Sequence, residues 1–406
     1  MQLGSVEYLA FILVLVLASH SYDHPWWRSA MLAVANVACL VTFASTTPQV
    51  MLATAMFVGS YVVTRLFQLR YIHGPWALAA CIGAWVCGWA TVRPAPVGSG
   101  TSATEGTLAL VGFSYFMFKH LHVCIDAAED ALPRVRALTY FNYMAGFYTW
   151  TAGPIQRYPD FAAQLTADAG LPARKTILLA LNRILNGYFK AFVLAGWVAP
   201  YIDPGTIIDH PELTATLVGL RSVAVYFGYY VFLYLNFGGY CDLAIGSAAL
   251  LGMRLPENFD RPFLATNPID FWQRWHISLS QWLRDYVFTP LYHTLRTRLP
   301  VMGLAGAAFA YLVTFGVAGL WHGPTPNYLI FGLLHGVAAA GYTIGNALVT
   351  RWVERERLRR FRTHMGARAI GMVLCNTYVA LTMLVFGWPL DTLRRLVEAL
   401  GERWPV

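Results

Sequence analysis

Two histidines stand out in this 406-residue chain as side chains able to move a proton at neutral pH. His276 lies in Asp270-Phe271-Trp272-Gln273-Arg274-Trp275-His276-Ile277-Ser278, and His322 lies in Leu320-Trp321-His322-Gly323. An imidazole with an ordinary pKa is a natural general base toward an attacking hydroxyl. His322 closes an apolar run, and the Gly323-Pro324 that follows ends a helix, leaving the ring at the mouth of a cavity. A lone histidine on an apolar helix is also a common hydrogen-bonded core residue. The stretch holding His276 turns amphipathic from Ile269, with Phe271, Trp272, Trp275, Leu279, Trp282 and Leu283 near helical spacing. Arg274, His276, Arg284 and Asp285 supply its other face. An interfacial helix anchored by tryptophans has the same periodicity, so spacing alone leaves both readings open.

The elements that must position these groups belong to a membrane. The chain is 57% hydrophobic and 12% charged, with mean hydropathy +0.48. A soluble domain carries about 25% charged residues, so a water-exposed surface cannot be built from this composition. At roughly 20 apolar residues per crossing, the length allows on the order of ten spans and no large soluble domain beside them. Apolar stretches run near 7–21, 28–46, 49–68, 76–92, 104–126, 176–201, 214–236, 300–320, 326–349 and 367–388. The opening MQLGSVEYLAFILVLVLASH lacks the basic start and small-residue cleavage site of a secretory signal, and is expected to be a retained helix. With no repeat and no low-complexity linker, residues 1–406 read as one domain.

Two stretches break the apolar pattern. Residues 137–165 and 256–295 are aromatic and half-polar, too charged for lipid-facing spans and too apolar for free loops. Such segments persist at membrane depth when they are buried in protein or line a wet cavity. Intramembrane Asp, Arg and His cost several kcal/mol each and often mark function. Most of that polarity lies in Gly153-Pro154-Ile155-Gln156-Arg157, in the block Gly239 to Pro290, and in Trp321-His322-Gly323 with His335.

The net charge of +8 reads as basic loops and not as a nucleic-acid surface. Its densest run, Arg351 to Arg368, lies between two apolar stretches and fits a loop or surface helix on anionic lipid. The six cysteines all fall in apolar stretches without metal-ligand spacing, and read as small buried hydrophobes.

The long motifs together resemble the bacterial membrane-bound O-acyltransferases, the group of the alginate O-acetylases and teichoic-acid D-alanyl transfer proteins. The likeness is carried by Gly239-Tyr240-Cys241-Asp242-Leu243-Ala244-Ile245-Gly246, Leu255-Pro256-Glu257-Asn258-Phe259, Asp270 to Ser280, and Trp282-Leu283-Arg284-Asp285-Tyr286. Ala152-Gly153-Pro154-Ile155 with Arg157 and Leu320-Trp321-His322-Gly323 match further motifs in the right order. The resemblance covers about 110–390, and Cys241 stands where the family's motif has serine.

The resemblance implies an all-α polytopic membrane protein in the bacterial cytoplasmic membrane. About ten to twelve helices, some re-entrant or interfacial, would ring a tunnel or funnel. It implies His322 as the catalytic histidine and His276 as a second functional one. Arg274, Trp275, Ser278, Asp285, Trp321 and Asp242 would line the tunnel or hold the donor, although Asp242 and Glu257 also read as structural hydrogen-bonding partners. The implied donor is a cytosolic acyl thioester, acetyl-CoA or an acyl-carrier phosphopantetheine, used as substrate with no bound cofactor or metal. The acceptor would be an extracytoplasmic glycan or a partner protein's hydroxyl, with membrane lipid as a further partner and no nucleic acid. Acetyl transfer is the expected reaction, and D-alanyl transfer from a carrier protein is the alternative. A transporter or flippase is a remote third reading, because no matching halves are visible.

Overall fold

The computed structural model describes residues 5–43, 46–92, 112–167 and 170–403. Residues 104–111, the start of one expected apolar stretch, lie outside the described residues. Among the described residues the chain is nearly all helical and forms no strand; one antiparallel bridge joins Phe259 and Trp275. Contacts gather the chain into two compact units, each made of two separated pieces of sequence. No linker marks their boundary in the sequence, since the chain passes between them more than once.

The first unit contains Met1–Tyr188 and Gly239–Glu257. Its helices are α1 (Val6–Ser19), α2 (Pro25–Phe43), α3 (Thr47–Gln68), α4 (Pro75–Val92), α5 (Phe113–Ala128), α6 (Ala137–Met144), α7 (Tyr158–Thr166) and α8 (Arg174–Tyr188). α9 (Ala215–Leu250) contributes its last part to this unit. α3 shows why the fold suits lipid. Ser60 and Thr64 are 0% exposed while Val58 is 57% and Val62 44% exposed, so hydroxyls face protein and branched alkyls face out. In a bilayer, polar side chains gain only by meeting protein, and apolar ones lose nothing by facing lipid. Thr64 meets that need by donating to the Ser60 carbonyl at 2.9 Å.

The second unit contains Phe189–Gly238 and Asn258–Val406. Two single-turn helices, Ala195–Val198 and Gly205–Ile208, precede the first part of α9. Then come α10 (Pro268–Trp272), α11 (Ile277–Leu283), α12 (Thr289–Arg298), α13 (Gly303–His322), α14 (Pro326–Trp352), α15 (Arg355–Thr363), α16 (Met365–Gly387) and α17 (Leu390–Arg403). α13 and α14 pack backbone to backbone through two glycines. A Cβ on Gly319 would fall 2.2 Å from the Tyr328 carbonyl oxygen, and one on Gly332 would fall 2.1 Å from that of Phe315. Small residues at such crossings let membrane helices gain dispersion contacts that lipid would otherwise supply. The crossing lies one turn before His322 and so fixes where that ring is presented.

Among the described residues, six segments are long and apolar enough to cross a membrane: Thr47–Gln68, Arg174–Ile208, Ala215–Leu250, Pro300–His322, Pro326–Trp352 and Met365–Gly387. Glu7–Ser19 and Pro75–Thr91 are apolar but shorter. The chain is therefore a multi-pass membrane protein. The sequence offered about ten stretches; of the other four, two form the shorter apolar helices just named and one begins outside the described residues.

Candidate active site

His322 is the last residue of α13. Gly323 is extended, with φ −179° and ψ 152°, and Pro324 follows, so the helix stops where the sequence places its break. The His322 ring sits in an aromatic box. Phe386 of α16 meets it edge-on at 4.7 Å between centroids, Tyr328 and Phe331 of α14 lie at 6.0 and 6.3 Å, and Trp321 lies at 4.3 Å.

His276 reaches the same place from a different element. It sits just before α11 with φ 44° and ψ 50°, a left-handed conformation that costs a non-glycine residue about 1–3 kcal/mol. Three pairings hold it there. The Ile277 N–H donates to the Asn258 carbonyl at 3.0 Å, the Asp260 N–H donates to the Arg274 carbonyl at 3.0 Å, and Phe259 bridges Trp275. The Asn258 Oδ1 accepts from both the Ser278 N–H, at 3.1 Å, and the Ser278 hydroxyl, at 2.7 Å. This clip spans both sides of His276, so the backbone there cannot relax without breaking several bonds.

The His276 ring is buried, and its Nδ1 has no hydrogen-bond partner. Phe237 meets it edge-on at 4.7 Å, and Trp321 stands at 6.4 Å. Trp321 therefore neighbours both histidines. His276 lies outside the six candidate spans, and burial, with His322 as the next cause, pushes its pKa down to about 3. The ring is neutral at physiological pH, with a nitrogen available to a substrate proton.

The other expected residues divide into four groups. Trp275 belongs to the packing around the site, stacked on Phe271 at 5.6 Å and edge-on to Phe259 at 5.0 Å. Arg274 turns to carboxylates, its Nε 2.6 Å from Asp270 Oδ1 and its Nη1 3.6 Å from Asp260 Oδ2, and Ser278 turns to Asn258. Asp285 pairs with Arg284 at 2.9 Å in the exposed start of the π-helical stretch that follows α11. Asp242 lies in the first unit, where Arg183 binds its Oδ1 at 2.9 Å and grips Glu257 with both guanidinium ends. One arginine thus holds both carboxylates.

His335 on α14 contrasts with His276. The Trp272 indole N–H donates to its Nδ1 at 3.2 Å, so Nε2 carries the proton and donates to the Thr382 hydroxyl at 2.9 Å. Sequence reasoning gave no role to Asn258, Phe237, Tyr328, Phe331 or Phe386. Asn258 sits inside a motif already visible, whereas the three aromatics around His322 come from two helices that only folding brings together.

A cavity of about 440 Å³ lies along one face of α11, lined by Ile277, Ser280, Gln281 and Arg284, and by Trp272 and Thr314. Its apolar walls and scattered amide and hydroxyl groups suit an extended amphipathic arm. Among the described residues, no three His, Cys, Asp or Glu side chains cluster as metal ligands.

The family described as MBOAT, membrane-bound O-acyltransferase family, matches residues 96–388, a range that includes both histidines. The chain is 30% identical over 238 residues to a teichoic acid D-alanyltransferase of Bacillus subtilis, covering 58% of this chain and 59% of that one. A teichoic acid D-alanyltransferase of Streptococcus thermophilus is 28% identical over 303 residues, 72% of this chain and 71% of that one. A probable alginate O-acetylase AlgI of Azotobacter vinelandii is 30% identical over 231 residues, 56% of this chain and 43% of that one. The match thus spans 59% of the first of these relatives and 43% of the last.

Proposed function

The chain belongs to the membrane-bound O-acyltransferase family, and on that premise we propose that it transfers an acetyl group from a cytosolic thioester to an extracytoplasmic hydroxyl. The acceptor is a polysaccharide, or a hydroxyl on a partner protein that passes the group on. The observation that carries this reading is the meeting of the half-buried His322 and the buried His276 around Trp321, with one His276 nitrogen unpartnered.

His322 acts as general base. It takes the proton as the acceptor oxygen attacks the thioester carbonyl, the C–S bond breaks, and the departing thiolate recovers that proton. His276, neutral at working pH, offers its Nδ1 to the donor or to the acceptor proton. Arg274, braced by Asp270 and Asp260, sets the direction of the Trp275-His276 turn. The aromatic box excludes water, which would otherwise hydrolyse the thioester. The helices form a ring around a tunnel that joins the two faces of the bacterial cytoplasmic membrane, and the α11 cavity receives the donor's arm. The donor is acetyl-CoA or an acyl carrier, consumed as substrate.

D-alanyl transfer is a second reading, favoured by relatives named for teichoic acid D-alanyl transfer, one of which aligns over 72% of this chain. One experiment separates the two. Ester-linked acyl groups on envelope polymers are measured in cells carrying the wild type, His322→Ala or no gene, at matched protein levels. Loss of released acetate in both mutant strains supports acetyl transfer, and loss of released D-alanine supports the second reading. Wild-type acylation by His322→Ala sinks the mechanism.

A further inference from the structure

The second unit holds another cavity, which Thr266 and Asn267 also line, just ahead of the motif that carries His276. It measures about 490 Å³ and lies where α15 joins α14 to α16. Leu358, Phe361 and Arg362 of α15, spaced i, i+3, i+4, form one wall, and Arg368, Ile370 and Leu374 of α16 form another. No carboxylate lines it. The Arg362 guanidinium is held by the Asn346 side-chain oxygen, which orients the fork and leaves its other N–H donors for a ligand.

Three further observations bear on the ligand. Both neighbouring helices are candidate spans that end here, at Trp352 and at Met365, so the cavity sits at the membrane–water boundary. Trp352 is 88% exposed, the placement of an interfacial anchor. Residues 351–368 carry seven arginines against two glutamates, and one of those, Glu356, is already engaged by Arg359 and Arg360 at 3.0 and 3.3 Å. The apolar wall also continues outward, with Ile370 63% and Leu374 65% exposed along α16. A ligand here meets two cations at its head and an alkyl surface running into the bilayer.

We infer that this cavity is a binding site for one anionic phospholipid, its phosphate between Arg362 and Arg368 and an acyl chain along Ile370 and Leu374. An acidic protein would satisfy the arginines but not the outward apolar wall, which favours the lipid. The site is independent of the acyl-transfer reading.

The test is native mass spectrometry on the full-length protein in mild detergent, titrated with dioleoyl phosphatidylglycerol and, separately, dioleoyl phosphatidylcholine. Wild type should retain one phosphatidylglycerol about tenfold more strongly than phosphatidylcholine. R362Q/R368Q should lose that preference. R355Q/R357Q removes the same charge, from α15 alone, but leaves the lining intact, and should bind within about twofold of wild type. Gly345 lines the cavity, and a Cβ there meets nothing within 4 Å, so Gly345→Phe should fill it without strain and displace the lipid. Equal loss in R355Q/R357Q would reduce the site to diffuse surface charge and overturn the proposal. So would wild-type binding by Gly345→Phe, or equal retention of both lipids by the parent. Unchanged lipid binding by R362Q/R368Q would also overturn it and leave the arginines to an acidic protein partner.

Discussion

Two histidine environments in the second unit show what separates a structural imidazole from a reactive one. His335 is 1% exposed and His276 6%, so burial does not distinguish them. Bonding does. His335 accepts from Trp272 and donates to Thr382, and both its nitrogens are satisfied on a regular helix. His276 keeps Nδ1 unpartnered, sits in a left-handed backbone conformation outside regular helix, and has another histidine as neighbour. Each of these features costs stability. An unsatisfied buried polar atom costs about 1–3 kcal/mol, and backbone strain adds about 1–3 more. The first environment lowers the energy of the fold, and the second is held against its own preference by the Asn258 clip.

The comparison can be broken by substitution, beginning with the largest expected effect. His322→Ala should lower acyl transfer by roughly 10²–10⁴-fold, the usual range for a general base. Ester-linked acyl groups on envelope polymer report it, and activity within twofold of wild type would remove His322 from the chemistry.

His276→Asn should cost about 10²-fold while the protein still folds, because asparagine tolerates the left-handed conformation. The same variant carries a pH signature. With its pKa pushed down to about 3, the folded protein binds fewer protons at His276 than the unfolded chain does, from about pH 6.5 down to about 3. Stability contributed by the neutral ring is therefore lost as pH falls through 6.5, by about 2 kcal/mol at pH 5. Thermal unfolding in detergent should show His276→Asn losing less stability than wild type between pH 7 and pH 5. A parallel loss in both proteins would mean that the ring is not held neutral.

Asn258→Ala leaves the Ser278 N–H and hydroxyl without their shared acceptor, and should lower transfer about tenfold by freeing the turn at His276. Asn258→Asp restores an oxygen acceptor and should recover most of that loss. Equal defects in the two variants would assign Asn258 to folding alone. His335→Gln, the mildest change, can still accept from Trp272 and donate to Thr382. Its specific activity should stay within about twofold, with an apparent melting temperature lower by a few degrees. A large loss of activity at unchanged stability would erase the distinction between the two environments.

Much of the site could be read before folding was considered. His322 was visible because Gly323-Pro324 must stop the helix behind it, and α13 does end at His322. His276 was visible in a half-polar stretch that lipid would not tolerate unless protein covered it. The roles of its neighbours were harder to read. Ser278 and Arg274 carry reactive groups in the right motif, yet their partners Asn258 and Asp260 come from a stretch about twenty and fourteen residues earlier. Asp242, in the same motif block, pairs instead with Arg183 in the first unit.

The sequence by itself determined membrane residence, helical class, the helix breaks and the family to which the motifs belong, because these follow from composition, periodicity and local backbone chemistry. Tertiary structure alone decided which buried histidine has both nitrogens filled and which keeps one open. It also decided that the α13–α14 glycine contact and Phe386 of α16 complete the box around His322. The physical reason is that hydrogen-bond satisfaction and close packing are properties of pairs, and the partners here lie tens of residues apart on helices whose faces meet only after folding.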